Sequence, residues 1–331
     1  MSRTGEMGHA MEKIQNRCGK TKTTRTGDGV LVLDKPRGKT SADVVNRIKR
    51  LSGIYKAGHS GTLDPFATGL LICPVNRATR LSRFFLHGNK KYAAVLKLGI
   101  ETDTMDGTGE ITAKHPVPQI SEQKLRSITR KYTGLIRQVP PAYSALKHNG
   151  VPLYKYARQG KPMQKEARAV EIHSICITRV EPPEIDIEVS CGGGTYIRSL
   201  CADIGKEIGC GAHVIRLVRT ESCGFDIKEA AGLAELEQAE TPEEVGRFIV
   251  PMADSLRGIP AYRADSGLVE KIRFGRHISE TDIRSAGAEY DPAYEENNYI
   301  KIVDPDNRLL AVIEKKKDKP GYSYCCVFQS N

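Results

Sequence analysis

Gly58-His59-Ser60-Gly61-Thr62-Leu63-Asp64-Pro65 sets one acidic side chain inside a glycine-punctuated loop. Asp64 is the loop's single carboxylate, Lys56 and His59 lie within a few residues, and Gly58, Gly61 and Gly69 permit backbone shapes that other residues resist. Taken alone, the stretch fits two readings equally well: a catalytic carboxylate, or a turn aspartate before proline. Its surroundings must decide.

Upstream, Val30-Leu31-Val32-Leu33 reads as a buried strand stopped at Lys35-Pro36, after which Thr40 and Ser41 cap a helix with Val44, Ile48 and Leu51 on one face. Downstream, the pattern predicts a strand over 70–75, a helix over 78–86, and a strand in which Tyr92, Ala94, Leu96 and Leu98 face inward. A helix is expected over 121–132, strands over 170–180 and 184–191, a helix over 196–208 and a strand over 214–220. Paired strands with helices between them argue for an α+β domain with a mixed sheet rather than a doubly wound one. Beyond residue 250, strands over 299–303, 309–314 and 322–328 predict a small β-rich C-terminal domain. The first 28 residues, without apolar periodicity, read as a disordered basic tail. The expected organisation is therefore 1–28 tail, 29–250 main domain, and 251–331 C-terminal domain.

The net charge of +10 points to a polyanionic partner, and its distribution sharpens this. Residues 124–168 hold eleven Lys or Arg and one acid, Glu166, with Tyr132, Tyr143, Tyr154 and Tyr156 interleaved. Cations mixed with aromatic rings suit phosphates and unstacked bases. The 251–331 segment, with twelve basic and thirteen acidic residues, is nearly neutral.

Nine cysteines form no C-x-x-C pair, and several, Cys73, Cys176 and Cys201 among them, sit in apolar patterns, which predicts buried reduced thiols and a cytoplasmic setting. No run approaches eighteen apolar residues, so no membrane span is expected. Gly19-Lys20-Thr21 and Gly38-Lys39-Thr40 imitate a phosphate loop, but Ile14 and Leu33 stand where its first glycine belongs. The eight histidines show neither H-E-x-x-H nor a deaminase pattern, which removes the support for a zinc site.

What remains is Asp64, Tyr92 and Gly194-Thr195-Tyr196-Ile197-Arg198. Together with Leu33-Asp34-Lys35-Pro36, Gly38-Lys39-Thr40-Ser41, the Asp64 loop and Lys91-Tyr92, in this order and spacing, the segment resembles the TruB family of tRNA pseudouridine-55 synthases. Tyr143-Ser144-Ala145-Leu146-Lys147, Tyr156-Ala157-Arg158-Gln159-Gly160 and Gly209-Cys210-Gly211-Ala212-His213 are similar to further family segments, so the resemblance spans about 30–220.

The resemblance implies a pseudouridine synthase fold with a PUA-like C-terminal domain, and an isomerase acting on one uridine of the tRNA T stem-loop without metal or cofactor. It implies a monomer needing no protein partner. By motif position, Asp64 corresponds to the family's catalytic aspartate, Tyr92 to a tyrosine stacked on the target base, and Arg198 to the arginine paired with the aspartate. His59 and Tyr196 correspond to substrate-contacting residues and Leu217 to an apolar pocket residue. The family places an RNA-gripping insertion at 124–168, making Lys147, Lys155, Arg158, Lys161 and Lys165 candidate clamp residues. The chemistry agrees: a carboxylate can attack a carbon and later leave, and a guanidinium holds it ionised and aimed. Two alternatives stay open, a dyskerin-like catalytic subunit of a guide-RNA particle and a tRNA chaperone in which modification is secondary.

Overall fold

The computed structural model describes residues 26–284, 298–316 and 320–328. In chain order the strands of the main body are β1 (Gly29–Lys35), β2 (Thr68–Val75), β3 (Lys90–Leu98), β4 (Ile100–Thr102), β5 (Ile111–Lys114), β6 (Gly134–Gln138), β7 (Lys147–His148), β8 (Val151–Pro152), β9 (Arg168–Glu181), β10 (Glu184–Cys191) and β11 (Ala212–Ser222). β4 with β5, and β7 with β8, form separate two-stranded hairpins, and the rest belong to one ten-stranded sheet. Along that sheet the order is β1-β2-β11-β3-β10-β9-β6. The β2–β11 pair is parallel and β1–β2, β3–β11, β3–β10, β9–β10 and β6–β9 are antiparallel, giving the mixed, largely antiparallel sheet expected.

β1 and β2 are buried on both faces, which is why they read as unbroken apolar runs. Leu31, Leu33, Leu71 and Cys73 join one core with helices α1 (Ser41–Ile48), α3 (Glu122–Lys131) and α5 (Ile197–Ile208), through Val44, Ile48, Leu125, Ile128, Leu200 and Ile204. Val30, Val32, Leu70 and Ile72 face the other way, toward Phe85 of helix α2 (Ser82–His87). Thr40 caps α1 in a reciprocal capping box with Asp43, worth about 1 kcal/mol. The Gly-Lys-Thr-Ser stretch is thus a helix start rather than a phosphate cradle.

Behind the sheet, the C-terminal strands Tyr299–Val303, Leu309–Lys315 and Tyr322–Val327, with Ala261–Arg263 and the helix Ser266–Arg273, enclose their own core of Tyr262, Leu268, Ile272, Ile302 and Ile313. The opposite face of that small sheet, through Val303, Leu309, Val312 and Phe328, packs into the second core of the main body. So the C-terminal unit is docked along an apolar interface.

Several boundaries differ from expectation. The strand Ile249–Pro251 pairs with β1, so a break at 250 would cut through the main sheet. Residues 1–25 of the expected tail lie outside the described residues, but residues 26–28 belong to the fold: Thr26 Oγ1 donates to the Ser52 carbonyl at 2.7 Å and Arg77 Nε to Asp28 at 2.6 Å. The expected clamp over 124–168 is shorter, because α3 is packed against the core and β6 is paired with β9. Residues 139–167 remain as the irregular basic part, carrying β7, β8 and the short helix α4 (Leu153–Arg158). Cys73 and Cys201 are buried as expected, whereas Cys176 is exposed on an outer strand. Among the described residues no helix is long and apolar enough to cross a membrane.

Candidate active site

The Asp64 loop is held along β2 rather than left as a flexible turn. Ser60 N donates to the Ile72 carbonyl at 2.9 Å and Gly58 N to Pro74 at 3.0 Å. Ser41 Oγ both accepts from Leu63 N at 2.9 Å and donates to the Leu63 carbonyl at 3.2 Å, fixing the residue before Asp64 to the start of α1. On the other side, Pro65 O accepts from Gly38 N at 2.7 Å. The buried Lys35 ammonium donates to the carbonyls of Lys39 at 2.7 Å, Pro36 at 3.0 Å and Pro65 at 3.5 Å. Gly61 takes the left-handed φ of +87°, a conformation glycine adopts without strain. Gly69 also needs its missing Cβ, which would lie 2.4 Å from the Arg219 carbonyl; Gly58 has open space and no such requirement.

Arg198, on the first turn of α5, is 3% exposed and meets Asp64 two-pronged, Nε to Oδ2 at 2.8 Å and Nη2 to Oδ1 at 3.0 Å. Its remaining donors reach the carbonyls of Thr104 at 2.7 Å and Tyr143 at 2.8 Å. Every face of the guanidinium is therefore anchored, and a fork held this way aims a carboxylate better than an ammonium could. The Asp64 side chain keeps 30% exposure, so it is gripped from behind and open in front. Burial raises its pKa above the usual carboxylate range, while the Arg198 charge and hydrogen bond, and the charge of Lys35, oppose the rise. Lys56, nearest in sequence, is not among the opposing cations.

Asp106 is the site residue that sequence reasoning missed. It is buried beside Arg198, Oδ2 3.5 Å from Nη1, and its Oδ1 accepts from Thr104 Oγ1 at 2.9 Å and from Thr108 N at 2.9 Å. The signal was present in Thr104-Met105-Asp106-Gly107-Thr108, a polar turn between β4 and β5 that is ordered by docking on Val214. Gln138 was also missed: 1% exposed, its side chain accepts from Tyr196 N at 2.8 Å and donates to the Tyr196 carbonyl at 3.0 Å. It fixes the residue that precedes α5.

The other expected residues gather nearby. Tyr92 lies on β3 opposite Arg219 of β11, and Leu217, opposite Ala94, faces the same side. Burial raises the Tyr92 phenol pKa, and the Arg219 charge offsets part of this. Burial and the same Arg219 charge lower the His59 pKa, leaving the ring neutral at pH 7, and its Nδ1 has no partner among the described residues. The Tyr196 ring lies under the Arg168 guanidinium at 4.9 Å. Lys147, Lys155, Arg158 and Lys161 stand exposed on the 139–167 segment, and Lys165 Nζ sits 3.1 Å from His148 Nδ1. The segment touches the site through the Tyr143 carbonyl on Arg198. Among the described residues no cluster of three His, Cys, Asp or Glu side chains could hold a metal.

With this geometry in hand, the comparisons agree with one another. Residues 49–197 match the N-terminal domain of the TruB family of pseudouridylate synthases, and residues 198–257 match the C-terminal domain of tRNA pseudouridylate synthase B. The chain is 42% identical over 248 residues to the tRNA pseudouridine synthase B of Syntrophotalea carbinolica, covering 75% of this chain and 81% of that one. The protein of the same name from Syntrophus aciditrophicus is 38% identical, covering 86% and 90%. Among solved structures, a chain of a Cbf5-Nop10-Gar1 complex superimposes with a TM-score of 0.67 at 25% identity, covering 91% of this chain and 84% of that one. Site, fold and sequence likeness converge: the chain belongs to the TruB family of pseudouridine synthases.

Proposed function

We propose that this protein is a stand-alone isomerase that converts uridine 55 in the T loop of tRNA to pseudouridine. The observation that carries the reading is the Asp64–Arg198 pair: an ionisable carboxylate gripped through both oxygens from behind and open in front, inside a basic protein of this family. The reaction breaks the bond from C1′ to N1 of uracil, makes one from C1′ to C5, and removes the C5 proton while N1 gains one, with no net oxidation. Asp64 supplies the carboxylate that assists exchange, and Arg198 keeps it anionic against burial.

The target base is stacked within folded RNA and has to be extruded. Tyr92 offers a ring on which it stacks, worth about 1–3 kcal/mol for a base on an aromatic face. Leu217 forms an apolar wall, and neutral His59, with its free ring nitrogen, and Tyr196 contact the nucleotide. Lys147, Lys155, Arg158, Lys161 and Lys165 grip the phosphates of the T stem. In this reading the enzyme works in the cytoplasm as a monomer, without cofactor or protein partner.

The likeness to the Cbf5 chain favours a second reading, dependence on a guide RNA. Higher identity to the proteins named tRNA pseudouridine synthase B argues against it. Incubating full-length protein with an unmodified tRNA transcript and mapping pseudouridine separates the two. Modification at position 55 without added RNA or protein is expected; turnover that appears with a guide RNA and not without it would support the second.

A further inference from the structure

Arg219 is the largest side chain among the fully buried residues, at 1% exposure, and nothing in the reaction above uses it. Burying a guanidinium is costly unless its donors are met. Here two backbone carbonyls accept from it: Nε donates to Leu70 O at 2.6 Å and Nη2 to Gly61 O at 3.1 Å. Among the described residues it forms no salt bridge, so a formal positive charge is left in the interior. The strand geometry explains its reach. β2 and β11 pair in parallel only at Val218–Thr68 and Arg219–Gly69, and where the ladder stops the Arg219 side chain continues it to Leu70. Gly61, in its left-handed conformation, has its carbonyl on the same guanidinium three residues before Asp64.

Arg219 also stands directly opposite Tyr92 across the β3–β11 ladder, on the same face of the sheet. One rigid cation thus touches the loop that carries Asp64, the strand that carries Tyr92 and the strand that carries Leu217. We infer that Arg219 is a positioning residue for the isomerisation: it locks the Gly61 carbonyl and the Tyr92 phenol into one register, so that the Asp64 carboxylate and the base-stacking ring face the same extruded nucleotide. A purely structural arginine would serve as well with any partner, but this one joins two functional elements that sequence separates by 28 residues.

The inference rests on the proposed isomerase reading, and the wild-type assay above tests that reading separately. The test is a double-mutant cycle on the full chain, using Arg219→Met, Arg219→Lys, Tyr92→Phe and the Arg219→Met/Tyr92→Phe pair. Single-turnover pseudouridine formation and tRNA affinity are measured on protein whose folding is verified by circular dichroism. Arg219→Met is expected to slow the chemical step about ten- to a hundredfold while tRNA affinity moves about twofold or less. Arg219→Lys, which retains a charge but not the fork, should recover part of the rate. In the Tyr92→Phe background the same Arg219→Met change should cost much less, because the two act together. Three results would overturn the inference: affinity and rate falling in parallel, a full and additive loss in the Tyr92→Phe background, or folded Arg219→Met and Arg219→Lys turning over at the wild-type rate.

Discussion

Asp64 and Arg198, 134 residues apart in sequence, meet through two hydrogen bonds of 2.8 and 3.0 Å with the guanidinium buried and the carboxylate half-open. Arg198→Lys keeps the charge but removes the fork and cannot also reach the Thr104 and Tyr143 carbonyls. The single-turnover rate should fall about a hundredfold or more, with a smaller effect on tRNA affinity. Rapid-quench assays and filter binding on the same preparation would check this.

Burial holds the Asp64 pKa above the usual carboxylate range, and the proposed mechanism uses the anion. The rate should therefore decline as pH falls through that raised value, with the acid limb above that of an ordinary aspartate. Arg198→Met removes the largest opposing influence and should move the limb to higher pH still. A limb that stayed in place would show that Asp64 is not the titrating group.

Asp106 backs Arg198 from the side away from Asp64. Asp106→Asn preserves shape and removes the charge, so the chemical step should slow about tenfold while tRNA binding holds. Measuring both on the same variant separates a positioning role from general damage to the fold.

Lys35 gives a stability prediction with a definite sign. Burial lowers its pKa from 10.5 to about 8. Between those values the unfolded chain binds the proton more tightly, so this group's contribution to stability rises with pH across that window and is flat below it. Denaturant melts of wild type and Lys35→Met at pH 7, 8, 9 and 10 should show wild type gaining relative to the variant as pH increases.

The proposed clamp predicts a steep salt dependence of tRNA binding. Removing one phosphate-binding cation among Lys147, Lys155, Arg158, Lys161 and Lys165 should flatten the slope of log K against log salt by about 0.7–0.9. Combined alanine substitutions that left the slope unchanged would move the phosphate-binding surface elsewhere.

Much of this architecture was legible because it is local. The continuous apolar runs of β1 and β2 report strands buried on both faces, and the 3.6-residue spacing of Ile197, Leu200, Ile204 and Ile208 reports α5 directly. The loop alone left Asp64 divided between a catalytic and a turn role, and it was the set of motifs that singled it out together with Arg198. What escaped depends on packing between distant segments. Asp106 lies in a polar turn that looks like any hairpin tip until Val214 docks beside it. Arg219 sits two residues after Leu217 in β11, and its burial follows from where the β2–β11 ladder ends. Lys56 lies close to Asp64 in sequence, yet the loop runs along β2 and turns Asp64 toward Arg198 at the start of α5.

Everything proposed for the site depends on Asp64 performing the chemistry. Asp64→Asn is the sharpest probe of that role, since it removes the charge and nucleophile while nearly preserving shape. Pseudouridine at position 55 should be mapped in an unmodified tRNA transcript after incubation with wild type or variant at saturating protein. Full conversion is expected with wild type and none above background with the variant, at tRNA affinities within about threefold of each other, a difference of less than about 1 kcal/mol. Pseudouridine formed by Asp64→Asn at the wild-type rate would refute the assignment.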